Sequence, residues 1–182
     1  MGSIYCRGNL NTGLLSKKAT VALFLGFLFL VADIACAASQ EAASSLADFL
    51  DRAQDQILSH MDKLMDLEMV AQRNDDRHEA WGADRVETVS SQLFAALQET
   101  SMLASLYSTM RDNHDKEVVR SQLKRSIVRA SKSADSAMST AKYFLTASNE
   151  SGPFVHSPAL VFELKQISEI SQQVKERLGQ YK

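Results

Sequence analysis

The sequence predicts an all-α protein that folds as an antiparallel, up-down-up-down four-helix bundle, and three observations indicate this. Turn-forming residues are rare after residue 38, where apolar residues recur at three- and four-residue spacings in four long segments. The connections between these segments are short, which favours antiparallel neighbours. An elongated three-helix bundle with a docked fourth helix is the alternative. The glycines and prolines after residue 38 are Gly82, Gly152, Pro153, Pro158 and Gly179.

The first helix is predicted over about residues 44–72, and it ends at the polar run 73–77. The start of the second helix is ambiguous, because Asp76 and Asp84 are each followed three residues later by a glutamate. That is the spacing of a capping box, in which two side chains satisfy free backbone N–H groups. The second helix is predicted to end near Arg111.

The third helix begins at Asp112 or Asn113, since either side chain can accept a hydrogen bond from a free backbone N–H. It runs to about Ala147, and alanines along its second half allow a neighbouring helix to approach closely. Ser157–Pro158 predicts the start of the fourth helix, with serine as N-cap and proline at the first position, where no N–H is needed. The alanines of the third helix are Ala130, Ala134, Ala137 and Ala141.

Residues 1–37 have the pattern of a cleaved secretory signal peptide. Two lysines precede the apolar run 19–32, and a stretch of small residues then predicts cleavage after Ala37 or Ala38. The apolar run is shorter than the roughly 20 residues that a spanning helix needs. We therefore expect a periplasmic or secreted protein with no stable membrane span after cleavage, and a single helical domain over residues 38–182.

Both cysteines, Cys6 and Cys36, lie in this predicted leader, so the mature chain would have no disulfide and no thiolate site. Asp33, three residues before Cys36, disfavours lipidation of that cysteine. The whole chain has a net charge of −2, and the part after residue 37 has 17 basic and 21 acidic residues. Nothing in this balance indicates nucleic-acid binding.

No nucleophile, acid–base pair or glycine-rich phosphate loop is placed by residue spacing, so the sequence predicts a non-enzymatic protein without a cofactor. The alternative is a small metal- or haem-binding bundle. His60, Met61 and Met65 could supply imidazole and thioether ligands to a soft metal. His78 and His156 follow connections that an up-down bundle places at the same end, so they form a second candidate pair.

The leading hypothesis is an exported helical bundle that binds another envelope or secreted protein, as an accessory, adaptor, chaperone-like or inhibitor-type factor. Trp81 near a helix start, and Phe154 and Val155 in the loop before the fourth helix, are the candidate contacts, because exposed aromatic residues often anchor interfaces. The third helix also has a basic flank that could dock an acidic partner or phospholipid head groups. This flank contains Lys124, Arg125, Arg129 and Lys132.

Overall fold

A computed structural model contains four α-helices and confirms the predicted all-α bundle. It describes the backbone of residues 13–149 and 156–181, and the side chains of residues 39–112, 114–147 and 156–181. The helices are α1 (Gly13–Arg73), α2 (Arg77–Thr109), α3 (Asn113–Asn149) and α4 (Pro158–Gly179).

Contacts divide the chain into two units, residues 1–39 and residues 40–182. The four-helix bundle belongs to the second unit. The division lies close to the predicted cleavage after Ala37, which stays a prediction. Among the described residues, no helix has both the length and the apolar character needed to cross a bilayer.

The turn between α1 and α2 is closed by the backbone of α1 and by the cap of α2. Asp75 has a φ of 57°, and the N–H of Asp76 donates to the carbonyl of Ala71 at 2.9 Å. This is the Schellman arrangement, in which a left-handed residue ends a helix. The Asp76 carboxylate then accepts from the N–H of Glu79 at 3.1 Å, so the earlier of the two predicted starts of α2 is the one that forms.

The two later helices begin at predicted caps. The Asp112 carboxylate accepts from the N–H of His114 at 2.8 Å, which identifies Asp112 as the cap of α3. The Ser157 hydroxyl accepts from the N–H of Leu160 at 3.2 Å, and Pro158 occupies the first position of α4.

Side-chain contacts show that each helix packs against the next helix in the chain and that α4 closes the bundle against α1. Asp51 accepts from Ser101 at 2.5 Å between α1 and α2, and Thr100 bonds Ser126 at 2.8 Å between α2 and α3. One ion pair, with an N–O distance of 2.6 Å, joins Lys175 of α4 to Asp135 of α3. The helices α2 and α4 lie across the diagonal and touch only slightly. This order is that of the predicted up-down-up-down bundle.

The closing contact between α1 and α4 is also polar. His60 Nδ1 lies 2.5 Å from Glu163 Oε2, and Lys63 Nζ lies 3.8 Å from the other carboxylate oxygen. Nearer the opposite end of the bundle, the Tyr181 hydroxyl donates to the carbonyl of Ala42 at 3.2 Å. The residue numbers increase along α1 as they decrease along α4, as antiparallel packing requires.

The core contains a stripe of alanines on α3, which also buries larger side chains such as Ile127 and Phe144. The largest fully buried side chains lie in α1, α2 and α4. The predicted alanine stripe of α3 is also fully buried. Small side chains let α3 approach its neighbours closely, and the leucines then fill the space between the helices. The largest fully buried side chains include Leu46, Leu50, Leu64, Leu93, Leu97, Leu160, Leu164 and Leu178.

The charged form of one acidic residue, Glu87, is disfavoured where α1 packs on α2. Burial raises the pKa of Glu87, and the nearby carboxylates of Asp84 and Glu68 raise it further. Ionised Glu87 therefore costs folding stability at pH values above its pKa in the folded state. Below the ordinary pKa of a glutamate the carboxyl is protonated in both states, and the cost disappears.

We expect Glu87→Gln to raise Tm by about 1–2 °C at pH 7, because Glu87 is only partly buried and removing its charge is worth less than about 1 kcal/mol. At about pH 4 the same substitution should change Tm little. Thermal unfolding followed by circular dichroism at both pH values measures this, with Glu176→Gln on the exposed side of α4 as the control. A gain at pH 7 that persists unchanged at pH 4 would contradict the electrostatic explanation.

Candidate functional site

At one end of the bundle, Glu79 links the start of α2 to the start of α4. Its carboxylate accepts from the Ser157 N–H at 3.2 Å and from the Ser157 hydroxyl. Glu79 therefore bonds the N-cap residue of another helix, although its spacing from Asp76 is that of a capping box. This bond fixes the start of α4 against α2, and so it positions His156, the preceding residue.

His156 is buried, at 6% exposure, and it packs against rings and backbone from two other helices. Its ring centroid lies 5.9 Å from that of Phe144 on α3, in an edge-to-face arrangement. A Cβ placed on Gly82 of α2 would lie 3.4 Å from His156 Cε1. The imidazole therefore packs close to this turn of α2, at a distance where a Cβ on residue 82 would make ordinary van der Waals contact.

The Nε2 atom of His156 is buried and has no hydrogen-bond partner among the described residues. Burial lowers the pKa of His156, and the nearby His78 lowers it too, while Glu79 and Asp76 oppose them by raising it. Burial is the largest of these effects, so the neutral imidazole is favoured. A neutral ring presents a lone pair on one nitrogen, which can accept a hydrogen bond or bind a metal ion.

A small cavity of about 30 Å³ lies beside this imidazole, and we name it the histidine–aromatic pocket. Trp81 and Phe144 form its ring walls, with centroids 5.0 Å apart and planes at 77°. Trp81 and Tyr143 are 48% and 61% exposed, so the pocket lies near the surface. The lining residues are His78, Trp81, Tyr143, Phe144, Ala147 and His156.

The structure thus brings the second predicted histidine pair together, with His78 exposed and His156 buried on the same cavity. Trp81 is half exposed, as a partner contact would be, and it also packs on Phe144. The other two predicted partner contacts, Phe154 and Val155, lie outside the described residues.

The first predicted metal group is not brought together. His60 is held by Glu163 on α4, Met61 is buried in the core at 8% exposure, and Met65 is 49% exposed. Successive positions on a helix point in different directions, which separates the imidazole from Met61. Within residues 39–147 and 156–181, no group of three or more histidine, cysteine, aspartate or glutamate side chains could hold a metal ion.

A second cavity, missed from the sequence, is an open groove of about 600 Å³ between α2 and α3, which we name the α2–α3 groove. Its α2 side is apolar, with Met102 67% exposed and Leu106 46% exposed. Its α3 side is polar and basic. The groove is lined by Glu99, Met102, Leu103, Leu106, Gln122, Arg125 and Arg129.

The basic side of this groove continues along α3. Between residues 118 and 134 this helix has five basic residues and no acidic residue, and all five side chains are exposed. Arg129 pairs with Glu99 across the groove at 2.5 Å. Arg125 has no carboxylate within ion-pair distance among the described residues. The five residues are Arg120, Lys124, Arg125, Arg129 and Lys132.

We expect Glu79→Ala to lower the free energy of unfolding by about 1–3 kcal/mol, because a carboxylate that accepts two hydrogen bonds is lost. Ser157→Ala should cost about 1 kcal/mol through loss of the N-cap. The double variant should cost less than the sum, since both substitutions remove the same contact. Urea unfolding followed by circular dichroism measures the cycle.

Glu99→Ala is the matched control, because its pair with Arg129 is exposed and such pairs contribute little. Strictly additive losses for Glu79→Ala and Ser157→Ala would show that the contact between α2 and α4 does not contribute to stability.

Comparison with known proteins identifies no relative of this chain: no family model, no curated protein and no solved structure matches it. The functional evidence is therefore the geometry of the molecule. That geometry offers two sites of different chemistry, the α2–α3 groove and the histidine–aromatic pocket.

Proposed function

We propose that this is an exported, non-enzymatic protein that binds an amphipathic helix of another envelope or secreted protein in the α2–α3 groove. The helix would place apolar side chains on α2 and acidic side chains towards α3. The observation that carries the proposal is the pairing, in one groove, of exposed Met102 and Leu106 with exposed Arg125 and Arg129.

The apolar side supports helix binding because of its spacing. Leu106 lies three positions after Leu103 and four after Met102. Side chains at these spacings are neighbours on a helix surface, so the three residues form a ridge along α2. A trough between two parallel or antiparallel helix ridges is the surface into which a third helix packs. Apart from Glu99, α2 has no charged residue between positions 88 and 110, so no other charged side chain of α2 needs to be desolvated there.

The basic side supports an acidic partner because of charge complementarity. Arg125 can form bidentate hydrogen bonds with a carboxylate, and Arg129 already holds one in Glu99. A carboxylate of the partner could replace that of Glu99. Charge complementarity at the rim would accelerate association and select the orientation of the bound helix, and the effect would weaken as salt screens it.

An acidic helix fits these features better than an anionic membrane surface. A bilayer would contact residues that protrude from the surface, whereas Leu103 and Gln122 line a concave groove. The apolar residues also lie on α2 alone, and the basic residues lie on α3. A helix with one apolar face and one acidic flank matches this division.

The test uses two fluorescent synthetic helices that share one apolar face, with glutamates on the flank of one and lysines on the flank of the other. We expect the full-length chain to bind only the glutamate peptide, as measured by fluorescence anisotropy. Arg125→Glu combined with Arg129→Glu should weaken binding at least about tenfold, since it creates like-charge repulsion. Met102→Lys should weaken it through loss of the apolar contact.

Lys165→Glu is the matched control, because it reverses an exposed charge on α4, away from the groove, and should leave binding unchanged. Trp81→Ala distinguishes between the two candidate binding surfaces. Unchanged peptide affinity would assign binding to the groove, and loss of affinity would assign it to the end of the bundle that contains Trp81. Equal binding of both peptides would overturn the proposal. Binding to anionic vesicles but not to the glutamate peptide, or self-association that occupies the groove, would also overturn it.

A further inference from the structure

We propose that the histidine–aromatic pocket binds a single soft monovalent metal ion of the Cu(I) type, with His156 Nε2 and His78 as its nitrogen ligands and Trp81 as its aromatic cover. This site is separate from the α2–α3 groove and does not depend on the function proposed for it. The juxtaposition that carries it is a buried nitrogen with no partner, a second imidazole and an indole ring around one small cavity.

The unsatisfied nitrogen is the first indication of a ligand. His156 is only 6% exposed, and its Nε2 has no hydrogen-bond partner among the described residues. Leaving a buried polar atom unpaired costs about 1–3 kcal/mol, so such atoms in folded proteins are usually paired. A group bound in the cavity beside Nε2 would remove that cost.

The size of the cavity limits what this group can be. A volume of about 30 Å³ accommodates a water molecule or one metal ion, and it is far too small for a haem or a nucleotide. His78 is exposed and Trp81 half exposed, so the cavity lies near the surface, while His156 Nε2 itself is buried.

The chemistry of the lining selects among metal ions. Imidazole and aromatic rings line the cavity, and among the described residues no carboxylate, amide or hydroxyl side chain does so apart from the Tyr143 phenol. Ca²⁺ and Mg²⁺ require six or more oxygen ligands, and Zn²⁺ usually requires four ligands in a tetrahedron. Two imidazoles suffice for Cu(I), which accepts low coordination numbers and soft neighbours.

The aromatic rings around the cavity are consistent with this choice. The face of an indole attracts a cation, and the interaction strengthens where water is excluded. The Glu79–Ser157 contact holds the residue next to His156 in place.

The experiment uses Ag(I), which resembles Cu(I) in its ligand preference and undergoes no redox change in buffer. The protein is the full chain with Cys6→Ser and Cys36→Ser, which removes competing thiols. Trp81 is the only tryptophan in the chain, so its fluorescence reports this pocket alone. We expect saturable quenching with one Ag(I) per chain, confirmed by native mass spectrometry.

His156→Gln and His78→Gln should each weaken Ag(I) binding at least about tenfold, as loss of a metal ligand does. His114→Gln, an exposed histidine at the start of α3, is the matched control and should leave the affinity unchanged. If His156→Gln fails to fold, as judged by circular dichroism, the exposed His78→Gln alone decides the result. Ag(I) should also raise Tm of the parent protein, because a ligand of the folded state stabilises it.

Three outcomes would overturn the site. Trp81 fluorescence that does not change with Ag(I) would show that the cavity holds water only. Equal affinity in the parent protein and in both histidine variants would place the ion on the methionines instead. Quenching by Zn²⁺ at the same affinity would refute the assignment to a soft monovalent ion.

Discussion

The bundle depends on close packing between an alanine stripe on α3 and larger side chains on the other helices. The alanine stripe of α3 is fully buried, and the largest fully buried side chains lie in α1, α2 and α4. Alanine projects little from the helix surface, so the neighbouring backbones approach closely and the leucines occupy the space that remains. A larger side chain in the stripe would have to push a helix outwards or adopt a strained rotamer.

Close packing also explains how a polar ring comes to lie in an apolar environment at one end of the bundle. Gly82 has no side chain to separate α2 from Phe144 and His156, and Glu79 ties the start of α4 to the same turn of α2. The imidazole is therefore held by packing, and its Nε2 has no hydrogen-bond partner among the described residues. In contrast, the α2–α3 groove forms where Met102 and Leu106 of α2 are exposed beside basic residues of α3.

The helices and their caps could be predicted because they depend on residues close together in the sequence. Asp76 and Ser157 each bond an N–H three residues ahead, and apolar spacing defines each helix. The groove could not be predicted, since both faces of α2 carry apolar residues and only packing shows that Met102 is exposed. The partners of Glu79 and His60 were missed for the same reason, although a glutamate within the apolar stripe of α4 signals that Glu163 is buried and paired.

An even number of antiparallel helices places the two ends of the bundle's chain beside each other. The side chain of Gln40 donates to the carbonyl of Met110, and the Tyr181 hydroxyl reaches the carbonyl of Ala42, so both ends lie at the pole opposite the histidine–aromatic pocket. With the predicted leader removed, a short peptide could join residues 40 and 181, which would make the bundle suitable for circular permutation. Tags or surface tethers attached there would likewise lie away from the pocket.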